Sequence, residues 1–254
     1  MIHSGLVSVT FRQLSPTDIL ELVARARIEG IEWGGDIHVP HGDLARAREV
    51  STLTREHGVK VAAYGSYYKV GSSEAGGLTF QSVLDTALTL GAPSIRVWAG
   101  DKGSSESSPD NQADVRDDSM RIADLADKEG VGIAYEWHGG TLTDTLESAC
   151  ELLEAVTNAG LTSLWQPLPG RSNEEHMIEI DQLSKRLSNI HVYHWGDNHG
   201  RMPLRDGLEV WRQYLEAAQV DGMDRYALLE FVRDDSPEAF LEDAAAMREL
   251  VNEL

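Results

Sequence analysis

The chain has 254 residues, 41% hydrophobic and 25% charged, with a formal net charge of −20. This is an ordinary balance for a globular chain, and its sign argues against a nucleic-acid partner, which needs basic faces to neutralise phosphates. One cysteine, Cys150, excludes an internal disulfide; no run approaches 18 apolar residues, so no membrane span is expected, and without a basic-then-apolar opening the cytoplasm is the expected location.

Strand-like and helix-like stretches alternate along the whole chain. A β-rich run at 5–11 is followed by Ser15-Pro16-Thr17-Asp18, an N-cap, a first-turn proline and a favourable first-turn acid, opening a helix that runs to about 29 and stops at Gly30. Residues 31–33 and 43–57 form the second pair, 59–65 and 80–90 the third, 94–98 and 115–129 the fourth. The stretch 103–112, rich in Ser with Asp and Pro, reads as a long exposed loop, either a lid or plain loop. Residues 131–135 and 143–158 form the fifth pair, 161–165 and 173–187 the sixth, 189–193 and 207–219 the seventh, 226–231 and 236–250 the eighth. Gly58, Gly91, Gly130 and Gly160 stand where helices stop, as glycine does at a left-handed C-terminal position. Eight strand–helix units in about 250 residues predict one α/β domain over 1–254, a single (β/α)₈ TIM barrel. An open doubly wound sheet is the competing topology, but no Gly-rich phosphate fingerprint follows the first strand.

In such barrels ligands bind at the C-terminal ends of the strands. Four apolar runs end there on polar, metal-capable side chains: Glu136, Gln166, His194 and Glu230. In a closed barrel these four would converge. Two buried carboxylates are costly without a cation, so a divalent ion (Mn²⁺, Mg²⁺ or Zn²⁺) is expected, although Arg96, Arg201 or Arg233 could supply the charge instead. Five of the six tryptophans (Trp33, Trp98, Trp137, Trp165 and Trp195) and six histidines (His38, His41, His138, His191, His194 and His199) fall near the same rim. Flat apolar faces with a few polar groups suit a small polyhydroxylated ligand. Trp33, His38, Trp98, His138, Trp165, His191 and Arg201 are the expected substrate contacts; Tyr67, Tyr68 and Lys69 are weaker candidates. Cys150 lies in an apolar helical stripe with Leu146 and Leu153, which reads as an inert thiol.

Gly30-Ile-Glu-Trp-Gly34, Gly91-Ala-Pro-Ser-Ile-Arg-Val-Trp98, Glu136-Trp-His-Gly-Gly-Thr-Leu-Thr-Asp144, His191-Val-Tyr-His194 and Leu229-Glu-Phe231, in this order and spacing, resemble the xylose-isomerase-like barrel superfamily, which includes proteins called sugar phosphate isomerases/epimerases. The resemblance covers essentially the whole chain. It implies a metal held by Glu136 after strand 5, His194 after strand 7 (with His191 as the alternative if the register shifts) and Glu230 after strand 8. At strand 6 Gln166 stands where the epimerases carry Asp, and Pro169 where they carry a substrate-binding His. The implied activity is metal-assisted isomerisation or epimerisation of a small sugar through an enediolate, with Glu136 and Glu230 moving the proton. A polyol dehydratase on the same barrel and a non-catalytic sugar-binding barrel are the alternatives. The expected partner is a small sugar or polyol, with neither nucleic acid nor membrane, and a homo-oligomer is left open.

Overall fold

The computed structural model describes residues 1–156, 160–196 and 200–254. Its elements alternate as β1 (Ile2–Val7), α1 (Pro16–Ala26), β2 (Gly30–Gly34), α2 (Leu44–Glu56), β3 (Lys60–Lys69), α3 (Phe80–Leu90), β4 (Ser94–Trp98), α4 (Pro109–Lys128), β5 (Gly132–Glu136), α5 (Leu146–Ala155), β6 (Leu161–Trp165), α6 (Asn173–Leu183), β7 (Leu187–Val192), α7 (Leu208–Ala217), β8 (Arg225–Leu229) and α8 (Pro237–Glu253). All eight strands are parallel to their neighbours and close into one barrel, β8 pairing with β1. The chain is a single (β/α)₈ TIM barrel.

Side-chain chemistry at the helix starts explains the phase of the repeat. Ser15, Asp43, Thr79, Ser108, Thr145, Ser172 and Ser236 each accept a hydrogen bond from a backbone N–H of the first helical turn, satisfying a donor that the helix leaves open. Ser108-Pro109 repeats the Ser15-Pro16 signature, so α4 begins at Pro109 rather than at 115, and the loop before it is shorter than expected. Other boundaries move as well. The first helix stops at Ala26, where Arg27 turns left-handed (φ 55°), and residues 8–11 form a 3₁₀ turn after a shorter β1. β3 extends to Lys69. β7 ends at Val192, one residue before the expected stop.

Strand alternation divides the core in two. Outward-facing Ile31, Trp33, Ile95, Val97, Ile133, Tyr135 and Trp165 belong to the large apolar cluster that also takes in Leu20, Val23, Phe80, Leu84 and Phe240 from the helices. Inside the barrel, Val7, Ala62 and Leu228 form a smaller apolar cluster. Glu32, Arg96, Glu136, His191 and Glu230, also inside, are all buried. Barrel interiors are usually filled by branched apolar side chains, so five ionisable groups together need a reason.

Candidate active site

The charged cluster is built around one arginine. Arg96 Nε donates to Glu32 Oε1 at 2.7 Å, and its Nη1 donates to Glu136 Oε2. The same Glu136 oxygen accepts from Trp98 Nε1 at 2.5 Å, while Glu136 Oε1 faces the Gln166 amide nitrogen at 3.3 Å. His191 stands between two carboxylates: Nε2 lies 3.4 Å from Glu32 Oε2, and Nδ1 lies 3.4 Å from Glu230 Oε2. β3 makes room for this. A Cβ on Gly65 would come 2.5 Å from Arg96 Nη2 and 2.7 Å from Glu32 Oε1, so no larger residue fits there without moving the guanidinium.

The charges hold one another in their ionised states. Burial pushes Glu32 toward neutrality, but Arg96 and His191 outweigh it and bring the carboxyl down to about 2. Burial likewise opposes ionisation of Glu136, yet Arg96, His191 and His138 hold it below the usual carboxylate range. For His191 burial disfavours the cation, and Glu230 and Glu32 override it, raising the imidazolium to about 10. The Glu32 and Glu136 carboxylates are thus matched by one guanidinium and one imidazolium.

Above the cluster opens a cavity of about 620 Å³, lined by Glu136, Gln166, Glu230, Trp98, His138, Tyr67, Tyr193, Arg12, Asp144 and Arg171 among others. Trp98 stacks on His138 with ring centroids 4.7 Å apart, making a flat wall beside Glu136. Tyr67, held at φ 54° where β3 slips register against β4, lays its ring over the Arg96 guanidinium at 4.8 Å and separates it from the cavity. Arg171 is tied to Glu179 at 2.5 Å, and Arg12 pairs with Asp36.

Of the expected site residues, the structure brings Glu136, Gln166, Glu230, Trp98 and His138 to this cavity, with His191 beneath it. Five others lie elsewhere. His194 belongs to a neighbouring cavity of about 700 Å³ and packs on the start of α7, where a Cβ on Gly207 would come 2.5 Å from its Nδ1. Because β7 pairs His191 with Leu228 of β8, it is His191, and not His194, that meets Glu230. Trp33 and Trp165 face outward, on the opposite side of their strands from Glu32 and Gln166; their indole N–H groups donate to Thr54 (3.1 Å) and Glu179 (2.9 Å). His38 is buried against Ser8 Oγ at 2.9 Å. Arg201 donates to Asp235 and to the Val232 carbonyl and lies over the Phe231 ring, tying two loops together. His199 and Asp197 lie outside the described residues. Glu32, Arg12, Asp144, Arg171 and Tyr193 are the contributors that the sequence did not single out. Among the described residues, no three His, Cys, Asp or Glu side chains form a ready-made metal cage.

A (β/α)₈ barrel whose acid–base groups and aromatic wall open at the C-terminal ends of its strands defines a class of enzyme scaffold. Residues 20–250 match the model of the xylose isomerase-like TIM barrel family, and the chain belongs to that family. It is 24% identical over 263 aligned residues to a 3-dehydroshikimate dehydratase of Bacillus anthracis, covering 89% of this chain and 90% of the relative. Among solved structures it is similar to a protein described as the probable 3-DHS dehydratase of Bacillus anthracis (TM-score 0.81, 20% identity, 97% and 98% of the two chains) and to D-psicose 3-epimerase from Clostridium cellulolyticum H10 (0.71, 12%, 98% and 98%). It is also similar to the IolI protein solved with a zinc atom (0.74, 15%, 99% and 98%). At these identities the structural likenesses show the fold.

Proposed function

We propose that this barrel is a lyase that removes water from a small hydroxylated carbonyl compound, taking a proton from the carbon beside the carbonyl. The observation that carries the reading is that Glu136 and Glu230 line one cavity in different electrostatic settings. Glu136 is held anionic by Arg96, with Trp98 and Gln166 occupying its oxygens. Glu230 faces His191 Nδ1 at 3.4 Å and feels Arg96 only at longer range. Among the described residues Arg96, Trp98 and Gln166 bond to Glu136 and not to it, which leaves it the freer base. In this scheme Glu230 takes the carbon-bound proton and returns it to the departing hydroxyl, so that water leaves and the carboxylate is regenerated. Glu136 and Gln166 orient substrate hydroxyls, and the stacked Trp98–His138 wall excludes water from one face. The dehydratase relative over 89% of the chain supports a substrate of this class.

Epimerisation, the second reading, is favoured by the likeness to D-psicose 3-epimerase. It asks a second carboxyl to arrive protonated on the opposite face of the substrate. Arg96 works against that state of Glu136.

The donor set fits a divalent ion in kind rather than as a finished cage. Glu136 and Glu230 offer carboxylate oxygens and Gln166 an amide oxygen. The buried His191 Nδ1 faces Glu230 Oε2 at 3.4 Å, too poorly aligned for a hydrogen bond, and meets no other acceptor among the described residues. Those four residues would hold it, His191 giving up its Nδ1 proton to do so, and an ion there supplies polarisation of the substrate carbonyl.

The test is to incubate the protein with 3-dehydroshikimate, and separately with D-psicose and D-tagatose, with and without Mn²⁺, following loss of water by mass. Dehydration that falls by at least ~10²-fold in Glu230→Gln is the expected result. Conversion of either ketohexose to its C3 epimer, read by chromatography because the mass does not change, without dehydration would select the epimerase reading.

A further inference from the structure

Glu32 is the most deeply buried carboxylate of the cluster, with no exposed surface, and it does not line the cavity. Stability gives no clear reason for it. A buried ion pair is often no more stabilising than a well-packed apolar pair of the same volume, and barrel interiors are ordinarily apolar. What distinguishes Glu32 is that its two oxygens serve different partners. Oε1 accepts from Arg96 Nε at 2.7 Å, and Arg96 in turn reaches Glu136 Oε2. Oε2 faces His191 Nε2 at 3.4 Å. Partners 64 and 159 residues away are thereby fixed by one side chain.

We infer that Glu32 is a positioning residue for the cavity: through Arg96 it aims the Glu136 carboxylate, and through His191 Nε2 it leaves Nδ1 as the nitrogen turned toward Glu230. A histidine that gives its outer N–H to a carboxylate is fixed in ring orientation and tautomer, and such outer partners contribute strongly to the affinity of the groups they support. β3 is shaped for the device, since the missing Cβ of Gly65 leaves the space occupied by Glu32 Oε1 and Arg96 Nη2. The inference rests on the reading above of Glu136, His191 and Glu230 as the working groups.

The experiment uses ¹⁵N-histidine-labelled full-length protein, wild type and Glu32→Gln, examined by long-range ¹H–¹⁵N NMR and by zinc calorimetry. In the wild type the His191 Nε2–H resonance is expected downfield, hydrogen-bonded, with and without Zn²⁺. In Glu32→Gln that resonance moves, and zinc affinity falls by about 10- to 100-fold while the other histidines and the circular dichroism keep their wild-type signals. Unchanged His191 resonances and zinc affinity in a folded Glu32→Gln would overturn the inference. If the variant does not fold, the zinc-loaded wild type still decides: a zinc-loaded His191 that lacks a proton on Nε2 overturns the inference. A wild type that binds no zinc, or turns over none of the carbonyl compounds, counts against the function proposed above. The metal-free His191 resonances then test Glu32 by themselves.

Discussion

Two buried arginines stand in this barrel, and they do opposite work. Arg96, on β4 among the inward-facing groups near the strands' C-terminal ends, meets carboxylates, and Glu136 and Glu32 raise its pKa well above the ordinary value despite burial. Arg225, the first residue of β8, meets backbone carbonyls of Leu187 (3.0 Å), Ala218 and Ser184 (2.5 Å), and burial lowers its pKa. One end of the barrel therefore spends its buried cation on other ionised side chains. The other spends it on closing the ends of α6, α7 and β7, where carbonyls would otherwise be orphaned. The pair separates a functional end from a structural end of the same sheet.

Substitution of Arg96 by Met should have the largest effect. It leaves Glu32 and Glu136 buried without their cation, and a loss of about 3–5 kcal/mol is expected in urea unfolding. Arg225→Met removes a donor to three carbonyls but strands no charge, so a loss of about 2 kcal/mol is expected, with zinc affinity by calorimetry unmoved. A shift in zinc affinity equal to that of an Arg96 variant would erase the distinction between the two ends. The smallest effect is expected of Gly65→Ala, about 1–2 kcal/mol, because the guanidinium has to shift to admit one methyl group. Its signature should be local: a moved Trp98 indole N–H resonance, since Trp98 and Arg96 share Glu136 Oε2, with the Arg225 end undisturbed.

How much of this was written in the sequence depends on which interaction decides each feature. The eight-fold repeat is carried by local chemistry, by caps such as Ser15 and by glycines such as Gly91, and so α3, β4 and β6 fall on the residues expected. The face that each strand turns inward is not local. Where β7 ends, the run His191-Val192-Tyr193-His194 offers two histidines, and only the pairing of His191 with Leu228 decides which one meets Glu230. The tryptophans illustrate the same limit: with Glu32 and Gln166 inward, the alternation of a strand sends Trp33 and Trp165 outward to the helices. The role of Glu32 is non-local for a related reason. A single acid in a short apolar run looks like any strand residue until the barrel closes and brings Arg96 and His191 to it. The start of α4 is local too, since Ser108-Pro109 is the same opening as Ser15-Pro16.

The closure of the sheet bears on how copies of this chain can meet. β1 pairs with β8 over five registered positions, so the barrel ends in no row of unsatisfied N–H and C=O groups that could template another strand. Ile37, Leu44, Leu88, Met120, Ile178 and Met223, large apolar side chains exposed on the surface, are spread over separate loops and helices. Self-association would therefore proceed by helix or loop docking, and sheet-to-sheet growth into fibres would require the β1–β8 seam to open first.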